Sequence, residues 1–295
     1  NISLAQAYIT DVTDEKNRAR GLGIIGASFG LGFIFGPALG GTLSGGGNYG
    51  RPALAAAALS ALNLLGVLAW LPESLSSERR AEMARSPRAA FTARALWEAL
   101  NRPCVGPLLH VSLFYGLAFT VFQTIFSLFA QKRLGLDAQA TSYVFTYVGL
   151  LIVAIQGGGM GLLTKRFSEK QLIFGGSVLL ALSLLAWALT PTLWLLLVVL
   201  APLALAGGVL NVAINAALTK SVYPEEVGGT LGLSAALGSL DRVISPIVGA
   251  FLLDNVGAAA PGVLGALLMA WLVSFTWRRV LFVPDLACPE ARGAE

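Results

Sequence analysis

Charge is what this sequence lacks most. Only 12% of its 295 residues are Asp, Glu, Lys or Arg, about half the share of a soluble domain. So few charges cannot cover the surface of a globular body in water. Histidine occurs once, as His110; a metal site would need further ligands nearby, and a nucleophilic dyad would need a Ser or Cys with a third, orienting group. A helix-end histidine satisfied by its own backbone is the expectation. The two cysteines, Cys104 and Cys288, have neither a zinc spacing nor the numbers of a disulfide framework, and read as incidental. The glycine-rich runs "GGTLSGGGNYG" and "GGGMGLLTK" lack Gly-x4-Gly-Lys-Ser/Thr, with Lys165 following Thr164, which argues against a phosphate loop and ATP. No apolar run carries a convergent acid-base or metal group, so neither an enzyme nor a cofactor is expected.

What is there is apolar: 56% of residues are hydrophobic and the mean hydropathy is +0.73. Several runs exceed the roughly 20 residues that cross a bilayer. The chain reads as an all-α, polytopic membrane protein with eight spans, near 21–43, 53–71, 104–130, 141–162, 172–190, 193–218, 228–253 and 260–280. The opening "NISLAQAYIT" has the character of the tail of another helix. The net charge of +4 points to no nucleic acid, because the cations follow topology. On one assignment of sides, 16 Lys and Arg lie cytoplasmic against 3 opposite, with Arg242 alone inside a span. By the positive-inside rule the segment 73–103 and the tail 283–295 are cytoplasmic. An interfacial helix is expected around Ala89 to Leu100.

An offset of 209 residues aligns "LGIIGASFGLGFIFGPALGG" with "LGLSAALGSLDRVISPIVGA", matching Leu22/Leu231, Gly23/Gly232, Ala27/Ala236, Leu31/Leu240, Pro37/Pro246 and Gly40/Gly249. Flanking spans fall into register, as in a parallel repeat. The second copy, 104–282, has six helices; the first, 1–72, has the end of one and two more. Projecting residue 104 back lands about 105 residues before Asn1, and there is no initiator Met. The expectation is therefore a fragment lacking three helices and most of a fourth, unable to transport by itself.

Two six-helix halves joined by a charged cytoplasmic segment resemble the major facilitator superfamily, here from the end of the fourth helix through the twelfth. "AYITDVTDEKNRARGLG", with Asp11 and Arg18, is similar to the exit of the fourth helix. Gly32, Gly36, Pro37, Gly40 and Gly41 match the fifth-helix signature Gly-x3-Gly-Pro-x2-Gly-Gly of the drug-proton antiporters at every fixed position. "LPESLSSERR", "FAQKRLGLDAQATSYVFTYVGLL" and "GLSAALGSLDRVISPIVGAFLLD" resemble tetracycline-efflux-like members. In "GLLTKRFSEK", Gly161, Arg166 and Lys170 keep the family's Gly-x3-Asp-Arg-x-Gly-Arg-Lys loop, while Lys165, Ser168 and Glu169 depart from it. The resemblance implies a cytoplasmic gate at Asp11, Arg18, Gly161 and Arg166. It also implies a seam in which the fifth helix pairs with the glycine-rich span "YVFTYVGLLIVAIQGGGMGLL". Small residues four apart let helices approach in lipid, so Gly32, Gly36 and Gly40 read as a ridge that a leucine at Gly36 would wedge from its partner.

Asp241 and Arg242 lie mid-span, where insertion scales charge roughly 2.5 to 3.5 kcal/mol for each unpaired Asp or Arg. Neighbours on a helix point about 100° apart, so they cannot both face one cavity. Either one faces a substrate or proton path, or both pair with neighbouring helices. Gln123, Asn211 and Asn215 line such a path or bond between helices; Gln156 and Asn63 read as interhelical glue. The leading reading is a proton-driven exporter of small lipophilic molecules in a plasma (inner) membrane, monomeric at full length, whose partners are its substrate, protons and the bilayer. A nutrient symporter or uniporter and a non-transporting membrane receptor stand beside it.

Overall fold

A computed structural model describes residues 5, 8, 9, 12, 28, 31–32, 34–45, 48–72, 93–155, 159–223 and 226–282. Every regular element among them is helical: α1 (Ile34–Leu43), α2 (Gly50–Trp70), α3 (Ala93–Leu100), α4 (Gly106–Leu134), α5 (Ala138–Ala154), α6 (Met160–Arg166), α7 (Glu169–Leu189), α8 (Leu193–Lys220), α9 (Val227–Asn255) and α10 (Ala260–Thr276), which runs on into a π-helical turn, Trp277–Leu281. Six of these are long and apolar enough to cross a membrane: α2, α4, α7, α8, α9, and α10 with its π turn. Helices α1 and α5 are shorter apolar helices. The expected span 141–162 is covered by α5 and α6, with 156–158 outside the described residues.

The chain divides into two units, 1–90 with 138–153, and 91–137 with 154–295. In the first, α2 has no buried residue, and α1 meets the first turn of α5 at Gly41. The second holds α3, α4 and α6–α10.

Local chemistry sets the ends of the helices. Helix α4 carries a proline in its first turn and stops at Gly135, whose φ of 65° lets its N–H return to the carbonyls of Ala130 and Gln131, a left-handed cap that suits glycine. Lys132 and Arg133 in its last turn complement the helix dipole. Helix α7 starts with a capping box: Ser168 Oγ accepts from the Gln171 N–H at 3.3 Å, and Gln171 Oε1 accepts from the Ser168 N–H at 3.0 Å. Of the departures from the family's loop pattern, Ser168 caps α7 and Glu169 pairs with Lys220 at the far end of α8. Within the stretch expected to hold an interfacial helix stands α3, with Trp97 exposed and Ala99 buried. His110 Nδ1 lies 2.8 Å from the carbonyl of Gly106 on its own helix.

Glycines set how closely the helices of the second unit approach. Helices α7 and α8 form an antiparallel hairpin in which Gly176 lies under Leu210. Helix α10 crosses α7 with Gly262 against Trp187 and Ala188, and Gly265 against Leu184. The centre is aromatic: Trp187, fully buried, has the rings of Phe122 and Phe129 of α4 at 4.9 and 4.8 Å. Between membrane helices, where lipid is as apolar as leucine, such packing replaces the hydrophobic drive of water.

Candidate functional site

Helices α4 and α9 run parallel, and their seam concentrates polar chemistry. Ser112 and Ser234 hydroxyls lie 2.9 Å apart. Further along both helices, Ser245 Oγ donates to the carbonyl of Leu117 at 3.3 Å, and Gly249 receives Ile125 and Val121. Ion pairs stand at both ends, Arg102 with Glu226 at 3.2 Å and Lys132 with Asp254.

Asp241 sits within this seam. It is 1% exposed, and neither carboxylate oxygen has a hydrogen-bond partner among the described residues. Its carboxyl rests against Gly116 of α4. The reason lies in the row that α9 buries: Leu237, Asp241, Ser245, Gly249 and Leu253 follow one another every four residues, so the carboxylate shares the face on which the small residues bring α4 close. Arg242 is exposed and makes no hydrogen bond to the carboxylate. Pro246, inside α9, has no N–H to offer the carbonyl of Arg242 one turn earlier.

The other expected residues of the second unit lie outside this seam. Gln123 on α4 and both Asn211 and Asn215 on α8 are exposed; the asparagines share a face, Asn215 Nδ2 donating to the Asn211 carbonyl at 2.8 Å. Helix α8 is joined to α4 nearby, where Tyr115 donates to the carbonyl of Gly207 at 2.8 Å and the ring of Phe119 covers that glycine. Gly161 and Arg166 are exposed on α6. Asp11, Arg18 and Gln156 lie outside the described residues. Asn63 is exposed on α2.

In the first unit the glycine seam is displaced from the expected ridge. Among the described residues, a Cβ at Gly32, Gly36 or Gly40 would meet nothing within 4 Å, whereas one at Gly41 would stand 2.6 Å from Ser142 Cβ and 3.4 Å from the carbonyl oxygen of Gln139. Gly41 is one residue, about 100°, round the helix from Gly40, so the face that touches α5 is its own. Pro37 is half-buried.

Sequence reasoning missed Gly116, Tyr115, Ser112, Ser234 and Ser245. A signal for part of this was present: Asp241 stands four residues before Ser245 and eight before Gly249, a small-residue row of the kind that seats helices on one another.

Comparison with known proteins follows the same lines. The chain is 29% identical over 279 residues to solute carrier family 22 member 18 of Mus musculus, covering 94% of this chain and 69% of the relative. It is 33% identical over 246 residues to the class C tetracycline resistance protein of Escherichia coli, covering 83% of this chain and 61% of the relative. Its fold superposes on the crystal structure of the human organic anion transporter MFSD10 (TETRAN) with a TM-score of 0.62 at 24% identity, over 94% of this chain and 67% of that one. The chain thus spans about two thirds of the length of these proteins. The multi-pass helical architecture, the helix order and the superposition all agree with a family profile that matches residues 1–160 and again 159–285: this membrane protein belongs to the Major Facilitator Superfamily and has its fold in part.

Proposed function

We propose that the full-length protein is a secondary active transporter that exports small lipophilic molecules in exchange for protons, by alternating access of two halves represented here by 1–72 and 104–282. The observation that carries this reading is the Asp241 carboxyl, buried in a helix seam with both oxygens unpartnered among the described residues. An unpaired charge at that depth costs roughly 2.5 to 3.5 kcal/mol on insertion scales. A proton arriving at or leaving Asp241 therefore changes how well α4 and α9 fit together, which is what coupling transport to a proton gradient requires. Gln123, Asn211 and Asn215 supply uncharged hydrogen-bonding groups on exposed faces of the same unit, suited to molecules with few charges of their own. Similarity to a tetracycline resistance protein supports export of drug-like compounds. The 16 to 3 distribution of cations supports a plasma-membrane orientation with 73–103 and the C-terminus in the cytoplasm.

The test is substrate-dependent proton flux in liposomes containing the full-length protein, for wild type and Asp241→Asn. Wild type should move protons only when a tetracycline-like substrate moves the other way. Asp241→Asn should lose uphill transport and keep downhill exchange. Proton flux in the same direction as substrate would instead establish a symporter, and full pH-driven accumulation by Asp241→Asn would remove Asp241 from the coupling.

A further inference from the structure

The notch that receives Asp241 is made by the absence of one side chain. A Cβ at Gly116 would run into Asp241 Oδ2, with Cγ at 3.1 Å and Oδ1 at 3.9 Å; the three nearest atoms all belong to that carboxyl. At three other helix contacts in this unit the nearest side chain to a glycine is apolar: Leu210 at Gly176, Phe119 at Gly207 and Ile125 at Gly249. At Gly116 the neighbour is a carboxyl with no hydrogen-bond partner among the described residues.

We infer that Gly116 is a positioning residue for Asp241: the bare backbone of α4 at this point holds the carboxyl inside the α4–α9 seam, and any side chain there turns it out. The inference rests on the reading of Asp241 as the proton-carrying group, and it adds where that group must sit while the seam is closed. The groups around the carboxyl leave it little else to bind. On its own helix, Arg242 is exposed and makes no hydrogen bond to it. On α4, Tyr115 is committed to the Gly207 carbonyl, and His110, six residues before Gly116, lies on the Gly106 carbonyl and beside the Phe275 ring. Lys132 and Arg133 stand at the other end of α4, the first paired with Asp254. Helix α8 has no charged residue before Lys220, and α10 has none from Ala260 to Thr276. Position, set by Gly116, is what distinguishes this carboxyl from one in water.

Asp254, exposed on the same helix, provides an internal reference for the test. Full chains in lipid nanodiscs are treated with a water-soluble carbodiimide and an amine, and modification of Asp241 relative to Asp254 is counted by mass spectrometry. In wild type Asp241 should be protected; in Gly116→Ala its modification relative to Asp254 should rise several-fold. An unchanged ratio in folded Gly116→Ala overturns the inference. Should Gly116→Ala fold poorly, the pair Gly116→Ala with Asp241→Ala decides: recovery of folded protein shows that the methyl's only conflict is with the carboxyl, and a double variant as poor as the single one overturns the notch. Labelling needs no transport, so an Asp241→Asn protein that still couples to protons would sink the coupling reading alone, while an unchanged ratio would sink the notch alone.

Discussion

The contrast between Asp241 and Arg242 shows how far two adjacent residues in one helix differ in what they do to stability. Asp241 is enclosed with unpartnered oxygens, so it is a cost that the fold carries; removing the charge without changing the volume relieves it. Asp241→Asn is expected to keep the melting temperature in detergent or raise it by a few degrees, in the direction of the trade between stability and activity seen when functional sites are neutralised. Arg242 is exposed and outside any ion pair among the described residues. Arg242→Ala should therefore change unfolding by less than about 1 kcal/mol, the scale of exposed charge interactions. A loss of folded protein in Arg242→Ala, read by size-exclusion profile, would mean that this guanidinium has a partner after all.

Between elements, contact is governed by where glycines lie rather than by how many there are. Gly249 takes Ile125 of α4, with an added Cβ at 2.9 Å from Ile125 Cδ1, and Gly41 takes Ser142 of α5. Overpacking such a contact costs typically about 1 to 3 kcal/mol, sometimes more. Gly249→Leu and Gly41→Leu should each lower the yield of folded, monodisperse protein, while leaving insertion unharmed because leucine favours the bilayer. Gly36→Leu, with open space around its Cβ position, should be the mildest of the three. If Gly36→Leu proves the most damaging, the α1 face that matters is the one the fifth-helix signature suggests and not the one that meets α5. The ion pairs at the ends of the α4–α9 seam are exposed and should contribute little individually; the serine bonds and the close approach at Gly249 hold that seam.

For the whole molecule, the distribution of basic residues makes a prediction that needs no transport assay. Reporter fusions ending near residue 90 and at the C-terminus should be active only in the cytoplasm, and one ending near Gly135 only outside it; the reverse pattern would invert every assignment of sides. The sequence by itself determined the membrane setting, six of the eight expected spans and the family. Those rest on composition, on apolar runs against the bilayer thickness, and on motifs read within one stretch of chain. It also indicated that Asp241 and Arg242 could not share an environment, since helical geometry separates neighbours by about 100°. Which of the two is enclosed, that Gly116 receives it, and that Gly41 rather than Gly36 meets α5 were decided by tertiary structure alone. Each depends on the rotation of one helix about its axis relative to another. In a helix apolar nearly all round, as α4 and α9 are, no amphipathic stripe in the sequence records that rotation.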